Sequence, residues 1–381
     1  MEQESQKHAG AAMTTVIIRR ADYRYDQIRP LVFEMIEKLA GEKITPGSRV
    51  LIKPNMLSAA RIEDAVLTHP LIIKAAVEYV LQKGARPQVS DSPAIGSFDK
   101  IMKENGTTEA LAGLDVLCRP FKDVLSVDIG KPYGRIEMAR DALEADVIIN
   151  LPKLKTHSQM LLTLAVKNMF GCIIGFNKSQ WHMRAGIDVM AFARLLVAIH
   201  QAVAPAVSIL DGILALEGEG PGKGGTPRPV GVLAGSDDSF ALDMVICEMV
   251  GVSCENVPML KVACSDRLIP SFDMDGDIPE VAGFRLPGGG PLVFGPPVLQ
   301  NFLRRHTLSS PVCDPSLCRM CGQCWTICPA GAIREKTESI GFDYGKCIRC
   351  FCCVEVCPDG ALSARETLGS KITKKMIDAF S

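Results

Sequence analysis

From residue 13 to about 300, short apolar runs alternate with longer stretches of helical period. VLIKPN (50–55) and PQVSDSP (87–93) predict strands that run into polar turns, and DVIINLPK (146–153) predicts a third. Short, β-branched apolar runs closed by turn residues suit buried strands. AVSILDGILAL (206–216) and PVGVLAGSD (229–237) add two more. HPLIIKAAVEYVLQKGA (69–85) places apolar residues at helical spacing before a glycine stop. TLAVKNMFGCIIG (163–175), IDVMAFARLLVAIHQAV (187–203) and SFALDMVICEMVG (239–251) also predict helices. Ser236, Asp237, Asp238 and Ser239 are cap candidates for the last. This alternation predicts an α/β domain over 13–300, a mostly parallel sheet covered by helices on both faces.

Polar residues gather where these strands end. Lys53 and Asn55 follow the first, and Asp91 and Ser92 the second. Lys153, Lys155 and His157 follow the third, Asp211 and Glu217 lie at or after the fourth, and Ser236 and Asp237 follow the fifth. Ligands of open parallel sheets bind outside the carboxyl ends of strands, so five such exits suggest one shared site. The ordinary alternative is turn chemistry at every strand end. Lysine directly at an exit, as in IKPN and LPKLK, is not typical of turns.

Lys167 and Asn168 interrupt an apolar helix. Lys167 either snorkels to the surface or joins Lys153 and Lys155. Two ammonium groups about 4 Å apart repel by roughly 4 kcal/mol at an effective dielectric near 20. A lysine cluster therefore calls for a compensating anion. His157, Lys153, Lys155 and Lys167 are candidate proton donors or electrostatic clamps. Lys53, Asn55, Asp91, Ser92, Asn168, Asp211, Glu217 and Asp237 are candidate substrate-binding residues.

Bulk composition narrows the classes. With 47% apolar and 22% charged residues, the chain is ordinary globular sequence. A net charge of −1 and 6% aromatics supply neither the basic field nor the stacking surface of a nucleic-acid binder. The polar start, residues 1–12, reads as disordered and lacks the layout of a signal peptide. The apolar windows 160–176 and 187–216 are broken by Lys167, Asn168, Arg194, His200 and Asp211. A soluble cytoplasmic protein without membrane insertion is expected.

Fifteen cysteines change the picture, because ten fall between Cys313 and Cys357. CRMCGQCWTICPAGAI (318–333) and CIRCFCCVEVCPDGAL (347–362) are two copies of C-x2-C-x2-C-x3-C-P, 29 residues apart. Three cysteines two residues apart wrap three corners of a cubane, and the fourth, before proline, points to another cluster. Zinc is the rival, but paired C-x2-C units alone usually serve it. The repeat resembles the bacterial-type ferredoxin with two 4Fe-4S clusters over roughly 311–366. That resemblance implies one cluster on Cys318, Cys321, Cys324 and Cys357, and another on Cys347, Cys350, Cys353 and Cys328. Cys313 and Cys352 fall outside its pattern, Cys352 as a packing residue. A linker at 301–312, a small α+β ferredoxin-like domain at 313–366 and a tail at 367–381 with helix as its candidate structure complete the layout.

IKPN, SDSP, INLPKLKTH, TLAVKNMFGCI, LDGILALEGEGP and LAGSDDSFALD resemble the family called domain of unknown function 362, over roughly 13–275. The resemblance implies an iron–sulfur protein of the kind common in anaerobes, without naming a reaction. EGEGPGKGGTP (217–227) is not a P-loop: Glu217 stands where glycine is needed and Gly224 where serine or threonine is needed. TPRPVG cannot open the helix of a dinucleotide site, so a flexible flap is expected there. Cys172 reads as a packed thiol. Three functions follow: an oxidoreductase acting on a small anion, an electron relay to a partner ferredoxin or reductase, and a cofactor-assembly factor.

Overall fold

Successive residues of each central strand point to opposite faces of the sheet, and both faces are apolar. In β1 (Thr14–Arg20), Val16 and Ile18 enter one buried layer and Ile17 the other. In β2 (Arg49–Pro54), Val50 and Ile52 face the second layer and Leu51 the first. Two-sided burial of this kind is what a sheet covered by helices requires. The computed structural model describes residues 13–175, 177–186, 188–287, 309–336 and 339–365. The N-terminus at 1–12, residues 288–300, most of the 301–312 linker and the tail at 367–381 lie outside these described residues.

The remaining sheet strands are β3 (Arg86–Val89), β4 (Leu117–Cys118), β7 (Val147–Leu151), β8 (Lys153–His157), β9 (Leu161–Thr163), β10 (Val207–Gly218), β11 (Gly225–Ser236) and β12 (Phe272–Asp275). β5 (Val124–Asp128) and β6 (Arg135–Ala139) form a separate hairpin. The main path is β12-β1-β11-β10-β7-β2-β3-β4, with β8 on β10 and β9 on β8. The run β10-β7-β2-β3-β4 is parallel. The sheet is thus mostly parallel, as expected. Helices Tyr25–Ala40 and Pro70–Gln82 cover one face. Helices Val189–Val203, Ser239–Met249 and Pro258–Ser265 cover the other.

Three local expectations change. β11 is antiparallel to β10, with Ser236 opposite Ser208 near the start of β10. The fifth exit therefore lies at the opposite edge, and Asp237 does not join the others. The segment 163–175 is not one helix. It breaks into the end of β9, a short helix Ala165–Asn168 whose first N–H groups bond to Asp243, and a 3-10 turn Met169–Cys172. LPKLKTH is neither a solvated loop nor the tail of one strand. Pro152 has no N–H for the ladder, and the chain resumes as β8, every residue of which is buried.

The cysteine-rich region is a small α+β unit. β13 (Ser310–Cys313) pairs with β16 (Leu362–Arg365), and β14 (Ile333–Glu335) with β15 (Ile340–Phe342), both antiparallel. Short helices Gln323–Ile327 and Cys352–Glu355 pack with them around Phe351, Val354 and Leu362. The β10–β11 turn grips this unit. A methyl group on Gly222 would stand 2.9 Å from the Glu355 carbonyl oxygen, so only glycine permits that approach. The glycine-rich segment is therefore a packed seam, not a free flap.

Candidate functional site

The exits of β2, β3 and β8 meet the small cysteine-rich unit around a cavity of about 90 Å³. The sheet side contributes Lys53, Asn55, Asp91, Ser92 and Lys155. Lys167, Asn168 and Gly171 come from the broken helix, and Lys178 and His182 from the helix Asn177–Ala185. Ile327, Cys352 and Glu355 close it from the cysteine-rich unit.

Each polar wall is built tightly. Lys53 Nζ lies 2.9 Å from Asp91 Oδ1 and donates to Pro54 O at 2.9 Å. Asp91 accepts from the backbone N–H groups of Met56 and Ser92 at 2.9 and 2.8 Å. Both side chains are buried, and Gly171 leaves room for them. Lys155 Nζ donates to Asn55 Oδ1 at 2.7 Å and to Val66 O at 2.9 Å. Asn55 donates to Asn168, which donates to Asn150, which donates to Ser208, at 2.8, 2.7 and 2.9 Å. This amide chain fixes how each member points. Lys178 donates to Ser92 O.

Burial sets the protonation. Lys155 touches only neutral acceptors, and burial, assisted by the Lys167 charge, lowers it to about 7. Burial lowers Lys178 to about 8 and lowers Lys167 as well. Lys167 is half-buried and has no hydrogen-bond partner among the described residues. The compensating anion comes from the cysteine-rich unit. Although burial opposes its charge, Glu355 is held down at about 2 by His157, Lys167 and His182. Four lysines against Asp91 and Glu355 leave the cavity cationic.

His157 does not line the cavity. Its Nδ1 accepts from Gln159 and Met160 N–H at 3.1 and 3.2 Å, so Nε2 carries the hydrogen. Nε2 lies 2.8 Å from Glu355 Oε1, at an angle short of a well-directed hydrogen bond. Burial holds His157 down at about 4. It is a neutral clamp between the two units, not a group facing a ligand.

Four other expected members are also elsewhere. Lys153 and Asp211 form a buried pair at 2.7 Å, closed by the Tyr23 hydroxyl and His69 N–H. Glu217 is held by Arg228 and Arg285 at 2.8 and 2.7 Å. Asp237 accepts from Thr15 N–H at the far edge. Asp211 and Glu217 are already satisfied by structural partners. The cavity thus collects Lys53, Asn55, Asp91, Ser92, Lys155, Lys167 and Asn168 from the candidates, and omits Lys153, His157, Asp211, Glu217 and Asp237. Lys178, Glu355 and Gly171 were missed. Lys178 and His182 stand four apart in a polar helix, a spacing that puts them on one face. Glu355 is hidden inside the cysteine motif.

The cysteines fall into two groups. One small cavity is lined by Cys318, Cys321, Cys324 and Cys357, and another by Cys328, Cys347, Cys350 and Cys353. Four thiols around each fit a 4Fe-4S cubane. Cys352 lines the second of these and the lysine cavity alike.

A family model described as domain of unknown function (DUF362) matches residues 50–248, and one described as 4Fe-4S dicluster domain matches residues 310–358. A thylakoid-associated protein of Synechocystis sp. is 38% identical over 254 residues, 66% of this chain and 78% of that protein. The lactate racemase apoprotein from Thermoanaerobacterium thermosaccharolyticum aligns with a TM-score of 0.41 and 10% identity, over 60% of this chain and 55% of that one. A Thermotoga maritima protein aligns with a TM-score of 0.35 and 14% identity, over 56% of each chain. The chain spans about half the length of these solved structures. No helix among the described residues is long and apolar enough to cross a membrane.

Proposed function

The chain belongs to the DUF362 family and carries a 4Fe-4S dicluster domain; on that premise we propose that it is an oxidoreductase that binds a small anion in the lysine cavity and exchanges electrons with it through two 4Fe-4S clusters. The observation that carries this reading is that Cys352 lines both the lysine cavity and one four-cysteine group.

When bound, each cluster accepts or gives one electron. The chain's own residues do the rest. Lys167 and Lys178 hold the anion by charge, with the Asn55–Asn168 amides fixed around it. Lys155 Nζ, near 7, takes or gives a proton close to operating pH. His182 is neutral and buried, and its Nδ1 has no hydrogen-bond partner; it offers that atom to the ligand. Lys53 and Asp91 brace the floor. Cys321, in the four-cysteine group with Cys318, Cys324 and Cys357, is exposed, which suits electron delivery from a redox protein such as a ferredoxin or reductase. A reducing cytoplasm, which keeps thiols free, and an anaerobic setting belong to the same proposal.

The test uses anaerobically iron-loaded, chemically reduced protein. Small carboxylates and oxyanions are added singly, and cluster reoxidation is followed by visible absorbance. An anion that reoxidises the protein about tenfold or more faster than it does Lys167→Met, at equal iron content, supports the enzyme. Reoxidation by a protein acceptor alone, at the same rate in Lys167→Met and Lys178→Met, selects the relay reading instead.

A further inference from the structure

Away from the lysine cavity, the 3-10 turn Cys254–Asn256 and the helix Pro258–Ser265 bring two thiols and a carboxylate together. The ligand atoms of Cys254, Glu255 and Cys264 all lie within 4.8 Å of one another. We propose that these three residues form a second metal site, specific for a soft divalent cation of the zinc class and independent of the iron–sulfur domain.

The geometry suits that ion. Zinc–sulfur bonds of about 2.3 Å at tetrahedral angles put two sulfurs about 3.8 Å apart. Small rotations of half-buried side chains reach this from the observed spacing. Two thiolates select a soft ion over calcium or magnesium. Glu255 is exposed and supplies the third ligand from the solvent side, which leaves a fourth position for water.

Charge balances as well. Two thiolates and a carboxylate around a divalent ion leave one negative charge. Lys261 Nζ stands 4.0 Å from Glu255 Oε2 and offsets it. Because both sulfurs bind as thiolates, metal uptake releases protons and weakens at low pH. Cys247 lies behind Cys254, fully buried, and stays outside the triad. None of the three ligands lines the lysine cavity or either four-cysteine group.

The experiment uses the full-length, iron-loaded protein, equilibrated anaerobically with zinc and desalted. Zinc and iron are counted by elemental analysis. One zinc per chain is expected in the parent and none in a Cys254→Ser/Cys264→Ser variant, with iron unchanged. Glu255→Gln, an exposed change, should weaken zinc binding about tenfold or more. In the parent protein, zinc should slow alkylation of Cys254 and Cys264 selectively, read by peptide mass spectrometry. This readout decides the matter if the double variant does not fold. Equal zinc in parent and double variant, or alkylation of both thiols indifferent to zinc, overturns the proposal.

Discussion

Gly171→Ala tests the floor of the lysine cavity. The added methyl carbon would lie 2.3 Å from Asp91 Oδ1, 2.5 Å from Lys53 Nζ and 2.7 Å from Lys53 Cε. Neither side chain can yield cheaply. The carboxylate is pinned by two backbone N–H groups, and the ammonium by Asp91 and Pro54 O. Relief must come from backbone displacement or from separating the pair. Overpacking alone costs about 1–3 kcal/mol, and breaking a buried ion pair about 3–5 kcal/mol. The cheaper remedy decides, and since both side chains are pinned we expect the top of its range, about 3 kcal/mol. At a urea slope of about 3 kcal/mol/M, the denaturation midpoint falls by about 1 M. Far-UV circular dichroism of the iron-loaded protein reads that midpoint. A midpoint within about 0.2 M of the parent would show that the pair has slack, and the tight cavity floor would have to be abandoned.

Anion affinity should be highest below pH 7 and fall as pH rises from about 7 to about 8, where Lys155 and Lys178 lose their protons; a flat calorimetric profile across that window would exclude Lys178 from the clamp and Lys155 as a proton-exchanging neighbour of the anion. Stability should respond the other way. The unfolded chain holds the Lys155 proton up to about 10.5 while the folded chain has lost it, so its contribution to stability rises with pH from about 7. Glu355→Gln removes the charge facing His157 and Lys167, about 1.5–3 kcal/mol of docking; amide exchange at the 219–224 turn should quicken about tenfold or more at unchanged iron, and unaltered protection would refute the docking role. Asp211→Asn should cost about 3–5 kcal/mol by stranding buried Lys153, yet leave anion affinity of the folded protein unchanged. Cys352→Ser should keep full iron where Cys350→Ser loses it, and equal losses would make Cys352 a ligand.

Much of the architecture was legible because it follows from local pattern. Apolar runs of strand length, helical spacing in 69–85 and 187–203, and a cap at Asp238 depend only on neighbouring residues. The two cysteine motifs were legible for the same reason, since one tight loop must present three thiols at once. Lys53, Asn55, Asp91 and Ser92 were found because parallel strands β2 and β3 carry them to one edge.

What sequence could not decide was which strand exits share that edge and what satisfies each charge. Both depend on pairings between residues far apart in the chain. The antiparallel return of β11 sent Asp237 away, and Tyr23 and His69 closed Lys153 and Asp211 into a structural knot. Glu355, some two hundred residues from His157, supplied the anion that the lysine cluster required. Periodicity and ligand spacing are properties of a short segment and are written in it. A buried charge is defined by whatever surrounds it, and only the folded chain determines that.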